Sequence, residues 1–268
     1  MQTGSPMRLM QRTLLTVLAV ATTSMVAMAQ QPIGTLHCND ANGIPLTLGQ
    51  TVTVRGTVTQ QFPLSFTRLF LQDFSGGINV FGTPQYCGNV GDDLTVQGVI
   101  TQFNGLTELA SPLVITVNGV GNPTPAPLQL TVAQVHATYQ PDDCEPNEGR
   151  LVQVESAIIR TTTGAMPSGG FLPSTLYNLE NFGPDSTTNF VSLFIYGGRF
   201  QCSPAPLVDS PIPLDVVCVT GTISQFQTSP APFNGVYEII PRFPSDLVAC
   251  RATPVRNKTW GQLKQTYR

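Results

Sequence analysis

Apolar residues fall at every second position in several short runs along this chain. In TVTVRGTVT (Thr51 to Thr59) valines alternate with threonine and arginine, and the spacing returns in LTVQGVITQ (Leu94 to Gln102), LVQVESAIIRT (Leu151 to Thr161) and VCVTGTISQ (Val217 to Gln225). A period of two sends successive side chains to opposite faces, so these runs predict strands with one face buried. Between the first two lies FLQDFSGGINVFG (Phe70 to Gly82), two apolar runs around an Asp-x-Ser-Gly-Gly turn. It predicts a hairpin, Arg68 to Asp73 and Ile78 to Phe81, whose glycines tolerate the positive φ of a tight connection.

The same order of runs occurs twice. VGDDLTVQGVITQFNGLTELA (Val90 to Ala110) aligns with PLDVVCVTGTISQFQTSPAPFNGVYEIIP (Pro213 to Pro241), the second copy carrying a longer turn before its Asn-Gly. The alignment pairs Gly98 with Gly221, Gln102-Phe103 with Gln225-Phe226, Asn104-Gly105 with Asn234-Gly235 and Glu108 with Glu238. Upstream, GQTVTVRGTVTQ (Gly49 to Gln60) corresponds to GRLVQVESAIIRT (Gly149 to Thr161). Two divergent units are therefore expected, 47–125 and 147–250, joined by a Pro- and Gly-rich linker, 126–146. Each predicts a long first strand, a hairpin, a cysteine-bearing loop, a long fourth strand and a short fifth. Gly56 and Gly98 sit where a long strand has to bend to close such a unit into a barrel. With 24 Gly, 23 Pro and 11% charged residues, the chain has little room for long amphipathic helices, and an all-β class follows.

The succession VTVRGTVT, FLQDFSGGINVF, VGDDLTVQGVITQFNGLTEL, then NPTPAPLQLT and NEGRLVQVE, resembles the OB-fold modules of secreted bacterial proteins, including those that precede the catalytic domains of extracellular nucleases. The resemblance covers nearly all of residues 49–103, and EGRLVQVE looks like the start of a second module. It implies two tandem five-stranded OB-like barrels that bind an oligosaccharide, a protein or a single-stranded nucleic acid. It also implies a site on the outer face of strands two and three and the adjoining loops. Arg68, Phe70 and Gln72 share one face of strand two by alternation, and the loop QQFPLSF adds Phe62 and Phe66. Rings beside an arginine make a base-stacking platform. The competing reading is that Leu69-Phe70-Leu71, three apolar residues in succession, is barrel core.

The first residues stand apart from this pattern. Arg8 and Arg12 precede an apolar stretch ending Ala27-Met28-Ala29, the layout of a secretory signal over residues 1–29, followed by an N-terminal segment, 30–46. Export to the cell surface, periplasm or medium, with no membrane span after cleavage, makes disulfides the default for Cys38, Cys87, Cys144, Cys202, Cys218 and Cys250. Sequence order suggests Cys38 with Cys87, Cys144 with Cys202 and Cys218 with Cys250.

Charge weighs against a polyphosphate ligand. From Gln30 to Cys250 there are 6 basic and 16 acidic residues, and the remaining 5 basic residues of the mature chain crowd into the tail, 251–268. That tail, with Trp260, Leu263 and Tyr267 on one helical side, resembles short basic sorting tails of other exported bacterial proteins. No serine elbow, His-Glu-x-x-His pair or phosphate-cradling loop occurs, so no catalytic residue is expected and the chain reads as a non-enzyme. No cofactor is called for. Without a C-x-x-C pair, and with His37 and His136 in predicted linkers, no zinc site is expected; Asp142, Asp143, Glu145 and Glu148 form an acidic group for which calcium is the alternative to solvated turns. Two functions follow from these readings: a secreted, non-catalytic binding module, or a disulfide-stapled spacer of the cell envelope.

Intact mass of the exported protein should show cleavage near Ala29 and a deficit of about six hydrogens, as three disulfides require. Six alkylatable thiols in native material would contradict this.

Overall fold

The computed structural model describes residue 1 and residues 29–62, 67–139, 144–181, 190–197 and 207–250. The expected signal, the basic tail, Phe66, Asp142, Asp143 and Cys202 lie outside the described residues.

Twelve strands form two closed five-stranded barrels in tandem, with two short strands added at the edges of the second. The first barrel comprises β1 (Thr51–Gln61), β2 (Thr67–Gln72), β3 (Gly77–Gly82), β4 (Asp93–Phe103) and β5 (Leu106–Gly119). They close in the order β1-β2-β3-β5-β4, with β3 and β5 parallel and the other pairs antiparallel. After β6 (Leu128–Leu130) and the short helix α1 (Val132–His136), the second barrel uses β7 (Leu151–Thr161), β8 (Thr175–Asn181), β9 (Phe190–Ile195), β10 (Val217–Gln225) and β11 (Tyr237–Ile240) in the same order. Strand β12 (Leu247–Ala249) pairs with the edge of β10.

Each long first strand serves two neighbours. The N-terminal part of β1 pairs with β4 and its C-terminal part with β2, the changeover falling at Thr57 beside Gly56. A Cβ on Gly56 would lie 2.6 Å from the Gln72 carbonyl oxygen, so the close crossing needs glycine there. Gly98 sits at a register irregularity of the β4–β5 ladder, the second predicted bend. In the second barrel Ser156, at φ 56°, occupies the corresponding turn of β7. Strand β5 is longer than the short strand expected, because its second half continues along β4 with Val114 and Val117 exposed.

The interior of the first barrel holds Val52, Val54, Leu69, Leu71, Ile78, Val80, Leu94, Val96, Ile100 and Leu109, joined by Ile33 and Leu36 from a 3₁₀ turn at Ile33–His37. The second holds Val152, Val154, Ile159, Leu179, Leu193, Val219, Ile223 and Ile239, with Val132 and Val135 of α1. Part of the predicted linker is thus packed structure: β6 runs parallel to β7, and Thr131 caps α1 in a reciprocal capping box with Gln134.

The Asp-x-Ser-Gly-Gly turn fastens the chain to itself. Asp73 Oδ1 accepts from the backbone N–H groups of Ser75 and Gly76, its Oδ2 accepts from Ile33 N–H at 3.0 Å, and Gly34 N–H donates to Ser75 Oγ. Gly77, which ends the turn, meets Gly149 of the second unit backbone to backbone.

Two of the suggested disulfides are corrected. Cys38 is joined to Cys144, not to Cys87, whereas Cys218–Cys250 is as expected. The N-terminal segment docks on the joint between barrels, which brings Cys38 to the segment before β7; Cys87 is itself disulfide-bonded. Disulfides fit an oxidising compartment. Among the described residues no helix is long and apolar enough to cross a membrane.

A Cβ on Gly77 would lie 2.1 Å from the Gly149 carbonyl oxygen, a backbone atom that cannot swing aside. Gly77→Ala should therefore cost on the order of 1–3 kcal/mol by overpacking. Gly235→Ala, where the nearest atom lies 3.8 Å away on a side chain, should be near neutral in the same urea titration.

Candidate functional site

Alternation along β2 turns Leu69 and Leu71 into the first barrel and Arg68, Phe70 and Gln72 outward. That outward face meets the second barrel. Phe70 is fully buried with Phe62, Leu106 and Ile240, a cluster flanked by Phe194 and Tyr196. Gln72 Oε1 accepts a hydrogen bond from Leu151 N–H at 2.8 Å. The expectation of an open stacking platform on this face is corrected for Phe62, Phe70 and Gln72: three consecutive apolar residues occur because both faces of β2 are covered. Arg68 alone of the described candidates borders open space. Its guanidinium lies over the rings of Phe62 at 4.8 Å and Tyr196 at 5.3 Å, and its Nε is buried without a partner among the described residues.

Arg68 faces a cleft of about 470 Å³ between the barrels, of the size that takes a nucleoside or a short sugar. Sheet register explains what lines it. In the first barrel Asn79 opposes Glu108 and Phe81 opposes Arg68; in the second Ser192 opposes Glu238 and Phe194 opposes Leu176. With Glu108 and Glu238 equivalent in the sequence alignment, Phe81 matches Phe194 and Arg68 matches Leu176. Phe103 at the end of β4 and Phe226 just after β10 add rings that meet edge to face at 6.2 Å, and these two line the cleft with Arg68, Phe81, Glu108, Leu176, Phe194 and Glu238. The two barrels thus present equivalent strands and turns to one space, which differs between its halves chiefly at Arg68 and Leu176.

Burial pushes the Glu108 carboxyl up to about 7, against a hydrogen bond from Asn79 Nδ2 at 2.6 Å and the charge of Arg68. Burial likewise pushes Glu238 up to about 7, opposed by Arg68 and by Ser224. Phe103 and Phe226 are about half exposed at the rim. The cleft therefore offers flat apolar walls, carboxyl groups that both donate and accept near neutral pH, and one guanidinium.

A second cluster lies at the joint itself. His37 Nδ1 is 3.1 Å from Glu148 Oε1, its Nε2 donates to the Gly77 carbonyl at 2.6 Å, and Glu148 Oε1 also accepts from Thr107 N–H. Tyr237 OH and Asn39 Nδ2 donate to Glu145. Burial, then the neighbouring Glu148, raises the Glu145 carboxyl to about 8. Burial lowers the His37 imidazole, but Glu148, Glu145 and the Gly77 carbonyl together carry it above its ordinary value. His37, Glu145 and Glu148 are the described residues that could hold a metal ion, a grouping the sequence reading missed by placing His37 in a linker and joining the two glutamates to Asp142 and Asp143.

No protein-family model matches the chain. Over 139 residues it is 32% identical to Endonuclease YhcR of Bacillus subtilis (strain 168), a match that spans 49% of this chain and 11% of that protein. The non-enzyme expectation is corrected by this match, since the motifs whose absence carried it belong to other chemistries and the protein matched along 49% of the chain is an endonuclease. The two closed five-stranded barrels fit OB-like modules. Solved structures with similar folds include a murine DNA binding protein bound with double-stranded DNA, at TM-score 0.33, 10% identity and coverage of 70% of this chain and 90% of that one. Another, concerned with abrogation of activation of pro-inflammatory cytokines, reaches TM-score 0.32 at 8% identity over 75% of this chain and 92% of that one. Likeness at this level carries no ligand assignment.

Because both cleft carboxyls titrate higher folded than the ordinary 4.5, the folded state holds extra protons between about pH 4.5 and 7. Their contribution to stability is full below about 4.5 and is lost as pH rises through about 7, on the order of a few kcal/mol for each group. Carboxyl carbon NMR should find two glutamate midpoints near 7, both moving up in Arg68→Gln, and Glu108→Gln should flatten the stability slope. Midpoints indifferent to Arg68 would contradict this arrangement.

Proposed function

We propose that the chain is a secreted binding module whose two OB-like barrels seat an unpaired base of a single-stranded nucleic acid in the cleft between them. The observation that carries this reading is the cleft lined by Phe81, Phe103, Phe194 and Phe226 with Arg68, Glu108 and Glu238 at hand. A base inserts its flat face against rings, and carboxyl and guanidinium groups match the donors and acceptors of its edge. The relation to an endonuclease supports nucleic acid as the ligand class and leaves cleavage by the chain itself to be assayed alongside binding.

The charge balance shapes how such binding works. With 6 basic against 16 acidic residues between Gln30 and Cys250, phosphate contacts contribute little, so recognition rests on the base. The same deficit favours a second reading, a neutral oligosaccharide, whose ring stacks on the rim and whose hydroxyls bond the carboxyls. Domain limits at 47–125 and 147–250, with both units required for the cleft, belong to this proposal, as does export.

The test is anisotropy of a labelled single-stranded oligonucleotide with residues 30–250, in competition with unlabelled nucleosides and neutral oligosaccharides. Affinity in the micromolar range should change less than about threefold between about 50 and 200 mM salt. It should fall about tenfold or more in Phe103→Ala and Phe226→Ala, the loss of one stacking partner, and both rings are exposed enough for the variants to fold. Competition by the oligosaccharide alone would favour the second reading, and binding unaffected by either substitution would remove the ligand from the cleft.

A further inference from the structure

We propose that His37, Glu145 and Glu148 bind one divalent transition-metal ion of the zinc class at the joint between the barrels. The inference does not depend on what occupies the cleft. Each of the three offers one ligand atom, these atoms lie within 4.8 Å of one another, and all three residues are buried.

Three features of the joint favour a cation. The first is orientation. The Gly77 carbonyl accepts the Nε2 proton of His37 at 2.6 Å, which leaves Nδ1 facing the carboxylates as the nitrogen that exchanges its proton for a cation. A backbone carbonyl on the far ring nitrogen is how metal-ligating histidines are held. The second is an unmet oxygen: Glu148 is fully buried, and its Oε2 has no hydrogen-bond partner among the described residues. Asn39 Oδ1 is likewise buried without a partner, although its Nδ2 donates to Glu145 Oε2 at 2.8 Å. Unpaired carboxylate oxygen in a dry interior is costly, and a bound cation supplies what no donor there supplies. The third is charge. A dication that displaces the protons of His37 and Glu145 then faces two carboxylates and a neutral imidazole, which leaves the joint without net charge.

The donor set selects the ion class. One imidazole nitrogen with carboxylate oxygens suits zinc or its first-row neighbours, whereas calcium asks for six to eight oxygens. Thiolate is not on offer, since the nearest cysteines, Cys38 and Cys144, are joined to each other. That disulfide also fixes the two ligand-bearing segments side by side, so the ion meets a pre-arranged site and clamps the N-terminal segment to the start of the second barrel.

The test uses the untagged mature protein with disulfides intact, stripped by a chelator and then dialysed against zinc. His37 and His136 are the only histidines, and His136 is exposed on α1, so His136→Ala leaves His37 as the sole imidazole. Elemental analysis after gel filtration should give about one zinc per chain in both the parent and His136→Ala, and the melting temperature of both should rise with zinc concentration. Copper or cobalt in place of zinc should show one ligating nitrogen spectroscopically. Glu148→Gln and His37→Ala should bind at least about 100-fold more weakly. Less than about 0.2 zinc per chain in the parent, or a metal spectrum without nitrogen, would overturn the proposal whether or not the variants fold. Undiminished uptake by folded Glu148→Gln and His37→Ala would overturn it as well.

Discussion

Gly77 and Gly149 touch backbone to backbone, and this contact sets the spacing of everything else. A side chain on either residue would force the barrels apart, since a Cβ on Gly77 or on Gly149 would lie only 2.1 or 2.3 Å from a carbonyl oxygen across the joint. At the spacing that glycine allows, the outer face of β2 closes: Phe70 and Phe62 lose water, Gln72 reaches Leu151, and the Gly77 carbonyl is free to hold His37. The same approach places Thr107 N–H on Glu148. Farther from the glycines the barrels diverge around Arg68, Glu108 and Glu238, and the gap becomes the cleft.

This geometry explains which parts of the molecule were legible in the sequence. Strand order and the bends at Gly56 and Gly98 were, because a period of two and a glycine in a long strand are local signals. Outward placement of Arg68, Phe70 and Gln72 was legible too. What covers that face was not, because docking of one barrel on another leaves no periodic trace. Cys38–Cys144 is hidden for the same reason, since its partners become neighbours only after the N-terminal segment reaches the second unit. A signal for the cleft did exist: Phe103 with Phe226 and Glu108 with Glu238 aligned between units although none is a turn former. Large rings and carboxyls kept in register by two diverged units are poor candidates for mere solvated surface.

Equivalent strands facing one another create an electrostatic difficulty. Like residues come to line one space, and two carboxyls buried there are each pushed up by the loss of water. Arg68 relieves this from one side only, for its counterpart is Leu176. Its guanidinium lowers Glu108 and Glu238 alike, leaving each near 7 rather than higher. The adjoining rings of Phe62 and Tyr196, 4.7 Å apart and edge to face, lie together against the Arg68 guanidinium and hold the charge in place where no salt bridge to a described residue does.

The mismatch between Arg68 and Leu176 also gives the cleft a direction. One wall ends in a fixed cation, the other in an aliphatic side chain exposed at the rim. A ligand with a polar edge and an apolar face can then sit in one orientation and not its reverse, because turning it end for end would set its polar edge against Leu176 and leave the guanidinium facing carbon. With both arginines present the two walls would end alike; with neither, the carboxyls would lose the cation that lowers them and would be held neutral. A single arginine in a duplicated frame is thus the smallest change that makes the two walls of the cleft chemically distinct, so that the two edges of a ligand are told apart.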